Sequence, residues 1–474
     1  MAQEEGDSKP WRPDEGESND AQPEKTPALP KLFRPKEPIA DSAPAEAPSS
    51  LPDAPSAPGP APPQSPAQPP GPIASADPQL TLIRELCSFQ GRAPGTDAER
   101  RAANMLAGKL RGFGRRGEVE PTYIHPQYAT VHLLHVAIAI AGSLLAVSEP
   151  AIGFALVLFA ATSAYLDLNS RFYVLRSLFF RRASQNVVSP GPNPSAPLRL
   201  VLLAHYDSGR SGYIFGQRGR KFSQRLSEPA RLLLSPSRVM FWGGMVPLLP
   251  ILGARMAGID ADWLSVVQLI PTILLIIAAF LLIDIALSDT VPGAYDNASG
   301  VAAVLAAAQR LKEDPPPNVD TWVVLTGSNE SLGEGMRAWV RRHKGELDPE
   351  RTVIVNVNGA SYGTVHYEVS EGPVISYGLD PELTELCEAL ASSSADDEAR
   401  PRPLRSPFAT EALPARVRGL RAISLLGADK GLLPPTFHAH EDTPETVDAA
   451  SQERMTEFVV SLARLLDRDA GRNK

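Results

Sequence analysis

The sequence predicts an α/β fold: a doubly wound, mixed but mostly parallel sheet with helices on both faces, joined by four transmembrane helices in two hairpins. Three observations predict it. Short apolar runs bounded by turn residues alternate with helical patterns, as in a sheet buried on both faces. His, Asp, Glu and Asn residues recur just after those runs, at the strand ends where such folds place their sites. Four other apolar runs are nearly uncharged and close to the roughly 17–25 residues that cross a bilayer.

The chain has 474 residues, and composition sets the first part of it apart. Residues 1–77 hold 19 of the 47 prolines, with Ala, Ser, Glu and Asp around them. Such a segment buries too little apolar surface to offset its ordering entropy, so 1–77 reads as a disordered Pro-rich tail. A spacer is the plainer role for it, and docking to a partner in extended form the other. The opening "MAQEEGDSKPW" is polar and acidic, which is not the pattern of a signal peptide. A net charge of -8 argues against a nucleic-acid partner. Cys87 and Cys387 stand far apart in no metal-type spacing, which fits a reducing compartment and no disulfide framework.

The soluble part is expected in three pieces, 78–129, 184–238 and 288–474, separated by hairpins at 130–168 and 239–287. The first hairpin joins "LLHVAIAIAGSLLAV" to "PAIGFALVLFAATSAYL" across Ser148 and Glu149. The second joins "VMFWGGMVPLLPILGA" to "WLSVVQLIPTILLIIAAFLLI"; Pro247 and Pro250 make its first run the weakest of the four. Basic residues crowd the open ends of both hairpins, among them Arg115, Arg116, Arg181, Arg182, Arg218, Arg220 and Lys221. The tight turns carry only Arg255 against Glu149, Asp260 and Asp262. The positive-inside rule then makes the protein integral to the membrane, with its polar bulk facing the cytoplasm. A transporter reading is weaker, because the runs carry few polar residues and Asp284 lies near a membrane end, where a solvated flank suffices.

In the soluble pieces, "LRLVLLA" (198–204), "TWVVLT" (321–326), "TVIVNV" (352–357) and "RAISLLG" (421–426) read as buried strands. Residues 298–311, 380–393 and 451–466 read as helices. Behind the strands stand "HYDS" (205–208), "YDNASG" (295–300), "SNES" (328–331), "NVNG" (356–359) and "FHAHEDT" (437–443). Each alone is more often a cap or a solvated residue. Together they bring imidazole and carboxylate to one rim, the ligands zinc favours outside Cys-rich sites. Asp207 is placed to orient His205 by accepting its second N–H.

In order and spacing, "RAPGT … HYDS … GAYDNASG … NES…G…R … NVNG … FHAHEDT" resembles the zinc aminopeptidases of metallopeptidase family twenty-eight. That family includes bacterial leucyl aminopeptidases, glutamate carboxypeptidases, glutaminyl cyclases and the non-enzymatic transferrin receptor. The resemblance covers about residues 80–120, 184–208 and 289–466. It implies a zinc-exopeptidase fold, a peptide or aminoacyl substrate, and a cis bond between Asp296 and Asn297. By the same resemblance His205, Asp296, Glu330 and His438 are metal ligands. Asn358 stands where the family has a ligand Asp, and Asn329 where it has the general-base Glu. A register shifted by one would make Glu330 the base, but Gly335 and Arg337 keep the family spacing, and Ser331 would be a poor ligand.

Charge then favours one zinc over two, since Asp296 and Glu330 balance a single Zn²⁺. An amide accepts no proton at neutral pH, so the standard mechanism needs a substitute base, with Glu441 and Glu334 as candidates. Two functions stay open: an aminopeptidase-type hydrolase, and a pseudoenzyme that keeps the fold to bind peptides or act as a scaffold.

Overall fold

The computed structural model describes residues 77–394 and 396–472, all within one unit of the chain, Pro72–Lys474. The expected disordered tail, 1–77, lies outside the described residues except for Asp77. The Asp77 carboxylate caps the first helix, Pro78–Ser88.

A single nine-stranded sheet organises the soluble part. Its strands are β1 (Glu118–Ile124), β2 (Arg182–Ser189), β3 (Leu198–His205), β4 (Val319–Thr326), β5 (Thr352–Val357), β6 (Thr364–Glu371), β7 (Tyr377–Gly378), β8 (Arg402–Arg405) and β9 (Arg421–Ala428). The order is β1-β2-β4-β3-β5-β9-β6-β7, with β8 beside β6. The four central strands, β4, β3, β5 and β9, run parallel. Both flanks turn antiparallel at β2 and at β6. These four are the strands expected from sequence, and β4 and β5 are buried at every position. Continuous Val, Ile and Leu are what a strand covered on both faces requires. The register pairs His205 with Thr326 and Leu203 with Asn356, so the parallel strands end along one rim.

The expected helices appear at Gly300–Glu313, Pro381–Ser392 and Ala449–Arg472. Ala-rich Gly300–Glu313 packs closely against both β3 and Ala449–Arg472; small side chains let it approach.

Among the described residues, four helices are long and apolar enough to cross a membrane: Tyr128–Leu145, Pro150–Leu168, Pro236–Met256 and Asp262–Leu287. The second pair begins earlier than its apolar run, at Pro236. The weakest run is helical throughout, with a wider turn over Val239–Met245 ahead of its prolines. Some polar groups inside the helices find partners: the Gln268 side-chain amide donates to the Ser143 carbonyl (2.6 Å), and Arg255 Nε to Gln268 Oε1 (2.8 Å). The helices also dock on the soluble part, where Trp242 Nε1 donates to the Val374 carbonyl (2.9 Å).

Arg176 makes the most demanding of these connections. It is fully buried and meets Asp167, near the end of the second apolar helix, at 2.6 Å. On its other side it reaches Glu334 (3.1 Å) and the Ser331 carbonyl (3.1 Å). Removing it would strand two buried carboxylates, and breaking a buried pair costs about 3–5 kcal/mol. Arg176→Met is therefore expected to lower the unfolding temperature by several degrees in detergent-solubilised protein. Asp97→Ala, which breaks exposed pairs only, should change it little. Equal stability of the two variants would show that Arg176 does not tie the hairpin to the domain.

Candidate metal centre

His205 is the last residue of β3 and fully buried. Its Nδ1 stands 3.2 Å from the Asp207 carbonyl and 3.4 Å from Asp207 Oδ1, so both oxygens favour a proton there. Its Nε2 faces Asp296 Oδ1 at 3.3 Å and Asn358 Oδ1 at 3.0 Å. His438, between Phe437 and Phe215 (ring centroids 4.4 and 4.5 Å), points its Nε2 at the other oxygen of Asp296, 3.1 Å away. Its Nδ1 donates to the Arg210 carbonyl (2.9 Å), which leaves Nε2 to the centre. Glu330 Oε2 stands 3.6 Å from His438 Nε2.

The turn that carries Asp296 is held from several sides. Asp442 accepts the backbone N–H groups of Tyr295 (2.8 Å) and Asp296 (3.2 Å). Asn297 accepts from Gly359 N–H (2.7 Å) and donates to the Val357 carbonyl (2.8 Å), tying the turn to the end of β5. The Asp296–Asn297 peptide is cis, as the resemblance implied. Gly359 has φ +86°, and a Cβ there would lie 2.3 Å from the Tyr295 ring. Arg92, from "RAPGT", donates to the carbonyls of Tyr206 and Gly293 (the latter at 3.3 Å), clamping the His205 and Asp296 loops together.

Glu330 sits in the short turn Asn329–Ser331, between Ser328 (φ +58°) and Leu332 (φ +64°). A non-glycine residue costs on the order of 1–2 kcal/mol in this left-handed region. His438 (φ +52°) is a third such residue. Asp207 stabilises the turn: its carboxylate accepts the N–H groups of Asn329 (3.0 Å) and Glu330 (2.9 Å). Asp207 thus serves the Glu330 loop as well as His205. Gly209 lies so close to the centre that a Cβ there would come 2.4 Å from the His438 ring and 2.9 Å from Glu330 Oε2.

Burial and neighbours set the charges. Burial pushes Asp296 up, but hydrogen bonds from His205 and His438 overcome it and hold the carboxyl well below the usual range. Burial also opposes charge on His438, yet Glu330 and Asp296 lift it to about 9. His205 stands well above the ordinary imidazole value despite burial, because Glu411, Asp207 and Asp296 surround it. Burial raises Glu330 to about 7, against the pull of His438.

His205, Asp296 and Glu330 offer ligand atoms all within 4.8 Å of one another, a donor set able to hold a metal ion. Imidazole nitrogen with carboxylate oxygen matches zinc chemistry, and His438 Nε2 lies beside the set, 3.1 Å from Asp296 and 3.6 Å from Glu330. The structure therefore brings together His205, Asp296, Glu330 and His438, with Asn358 beside His205. Neither substitute base fits. Glu334 is held by Arg176 and by the His125 N–H (3.0 Å), and Glu441 is exposed.

Sequence reading missed Glu411. It is fully buried at the rim, accepts from Thr326 Oγ1 at the end of β4, and leaves Oε2 without a hydrogen-bond partner. Burial lifts its carboxyl to about 7, against the lowering effect of His205 and Thr326. The available signal was compositional: Glu411 is the one acid between Arg400 and Arg421, a stretch with six arginines.

A mixed α/β sheet with acids and imidazoles at its strand ends defines a peptidase-type fold. Residues 282–463 match the model of peptidase family M28, which bears out the resemblance drawn from the motifs. No curated protein matches the chain by sequence. Among solved structures, the chain is similar to a Bacteroides thetaiotaomicron glutaminyl cyclase bound to N-acetylhistamine, at 13% identity and TM-score 0.48, covering 83% of this chain and 98% of that one. It is also similar to a zinc aminopeptidase from Bacillus subtilis, at 12% identity and TM-score 0.48, covering 82% and 94%. A Zn-dependent exopeptidase from Parabacteroides distasonis gives 12% identity, TM-score 0.46 and coverage of 84% and 98%.

Asp207→Ala would release the backbone amides of Asn329 and Glu330. A hydrogen bond to a charged group is worth about 1.5–3 kcal/mol, so exchange at these two amides should accelerate by roughly ten-fold or more. Hydrogen-exchange mass spectrometry of the peptide covering 325–336 reads this directly. Unchanged exchange would mean that the turn is ordered by other contacts.

Proposed function

We propose that this chain is a membrane-anchored zinc peptidase that holds one ion at His205, Asp296 and Glu330, with His438 beside them. It cleaves peptides or aminoacyl compounds in aminopeptidase fashion at the cytoplasmic face. The observation that carries the reading is the convergence of both imidazole Nε2 atoms on the Asp296 carboxylate, with Glu330 beside them. A zinc ion there would act as a Lewis acid on a peptide carbonyl and bring water into the range where it ionises near pH 7. The protein residues supply the rest. Asp207 and the Arg210 carbonyl fix the two imidazoles, and Asp442 holds the Asp296 turn in place.

Proton transfer falls to Glu411 in this reading. Asn329 cannot accept a proton, whereas Glu411 has one unpaired oxygen and changes protonation near neutral pH. Asn329 and Asn358 favour a second reading, a peptidase-fold pseudoenzyme that binds peptides without cleaving them. The positively flanked hairpin ends support the cytoplasmic orientation. Reporter fusions after Lys474 and at Glu149 should therefore fall on opposite sides of the membrane, and an exported carboxyl terminus would refute that orientation.

Metal counting and turnover separate the two functions. The purified protein is expected to hold about one zinc, because two anionic ligands balance one Zn²⁺. The variant Asn329→Glu with Asn358→Asp should hold about two, and cleave a panel of aminoacyl reporter substrates faster than the parent. Glu411→Gln should keep the zinc and cut parental turnover by about 10²–10⁴-fold, the usual range for a general base. Zinc without turnover in the parent, restored in the double variant, selects the pseudoenzyme. Two zincs in the parent overturn the charge argument.

A further inference from the structure

The segment Tyr213–Arg238 links the rim of the sheet to the third apolar helix and offers no candidate metal ligand of its own, though its Phe215 ring packs on His438. It forms a short turn (Tyr213–Phe215) and two helices (Gln217–Arg225 and Glu228–Leu233) with no buried residue in any of them. It holds six basic residues, Arg218, Arg220, Lys221, Arg225, Arg231 and Arg238, against the single acid Glu228. Among the described residues, none of these six forms an ion pair; their recorded hydrogen bonds run to neutral groups such as Tyr213 Oη and the Leu226 carbonyl. Apolar side chains stand exposed among the charges: Phe222 (58%), Leu233 (66%) and Leu234.

Both ends of the segment are fixed where apolar helices leave the soluble part. Tyr213 N–H donates to Asp284 Oδ2 (2.5 Å), near the end of Asp262–Leu287. The other end runs straight into Pro236–Met256. The loop 171–182, which follows the second apolar helix, has the same character: Phe172, Leu178 (76%) and Phe180 are exposed beside Arg171, Arg181 and Arg182. Among the described residues these cations have no counter-charge, and apart from Arg182 over the Phe180 ring the exposed apolar groups have little cover. The headgroup layer of an anionic bilayer supplies both.

We propose that Tyr213–Arg238, together with loop 171–182, lies on anionic phospholipid headgroups of the bilayer that the four helices cross. The inference rests on the membrane-spanning reading of those helices. It bears on the site because the Phe215 ring packs on His438 at 4.5 Å. The lipid surface would thus help to set one wall of the metal centre, making the site responsive to lipid charge.

An environment-sensitive fluorophore on Phe222→Cys tests it in the full-length protein. Burial lifts the native thiols of Cys87 to about 11 and Cys387 to about 12, so labelling at neutral pH selects the new cysteine. A second label on Phe280→Cys, exposed in the second half of the fourth apolar helix, reports the hydrocarbon. In vesicles of phosphatidylcholine with phosphatidylglycerol, the residue-222 label should shift to the blue. In phosphatidylcholine alone it should report water. Salt at about 1 M, where the Debye length is roughly 3 Å, should reverse the shift. So should replacing Arg218, Arg220, Lys221 and Arg225 together by Gln. A residue-222 label that ignores lipid charge, beside a residue-280 label in hydrocarbon, overturns the proposal alone. A residue-280 label in water overturns the membrane-spanning reading and the proposal with it.

Discussion

Three buried charges share one small volume at the rim of the sheet, and the rest of the site follows from keeping them paired. Asp296 has a histidine nitrogen at 3.3 Å on one oxygen and another at 3.1 Å on the other. Isolated charges at such depth cost several kcal/mol each, and the arrangement survives only where geometry and further hydrogen bonds compensate. That condition accounts for the surrounding layer. Asp442 fixes the backbone at Asp296, Arg92 clamps its loop to that of His205, and Asp207 secures the Glu330 turn. Three non-glycine residues are held in the left-handed region beside it, and such strain persists only where packing over-determines it.

The apolar helices are part of this same construction. Arg176 joins Asp167 of the second helix to the Ser331 carbonyl, one residue from Glu330. Arg210 donates to the Ser288 carbonyl (2.5 Å) just past the fourth helix, while its own carbonyl takes the His438 proton. Two helix ends are therefore coupled to two metal-ligand positions through one side chain each. A tilt of either hairpin would act on the Glu330 turn or the His438 ring before reaching the sheet.

What could be read from sequence divides along physical lines. The four central strands stood out because each is apolar on both faces, and the site motifs because they follow those strands. The flanks were hidden: β1 reads "EVEPTYI", a polar and half-exposed edge, and β2 reads "RASQNVVS", polar although it is buried from Ser184 to Ser189. His205, Asp296, Glu330 and His438 were legible by motif. Glu411 was not, since its importance comes from the fold carrying a loop residue to Thr326, 85 positions away. Asp284, a solvated flank by position, is half-exposed and also accepts the Tyr213 N–H, a contact no sequence signal announces.

The two amides become intelligible on the same electrostatic terms. At position 329 the backbone N–H is used by Asp207, so the turn keeps its shape whichever side chain stands there. At position 358 the amide oxygen faces His205 Nε2 at 3.0 Å without adding a negative charge. A carboxylate at both positions would add two charges to a centre that already holds Asp296, Glu330 and the nearby Glu411, and like charges in a dry site disfavour one another's ionisation. An amide at each position keeps these contacts and adds no negative charge to the centre. The hydrogen bonds from Asp207 and Asp442 that position Glu330 and Asp296 depend on neither amide side chain.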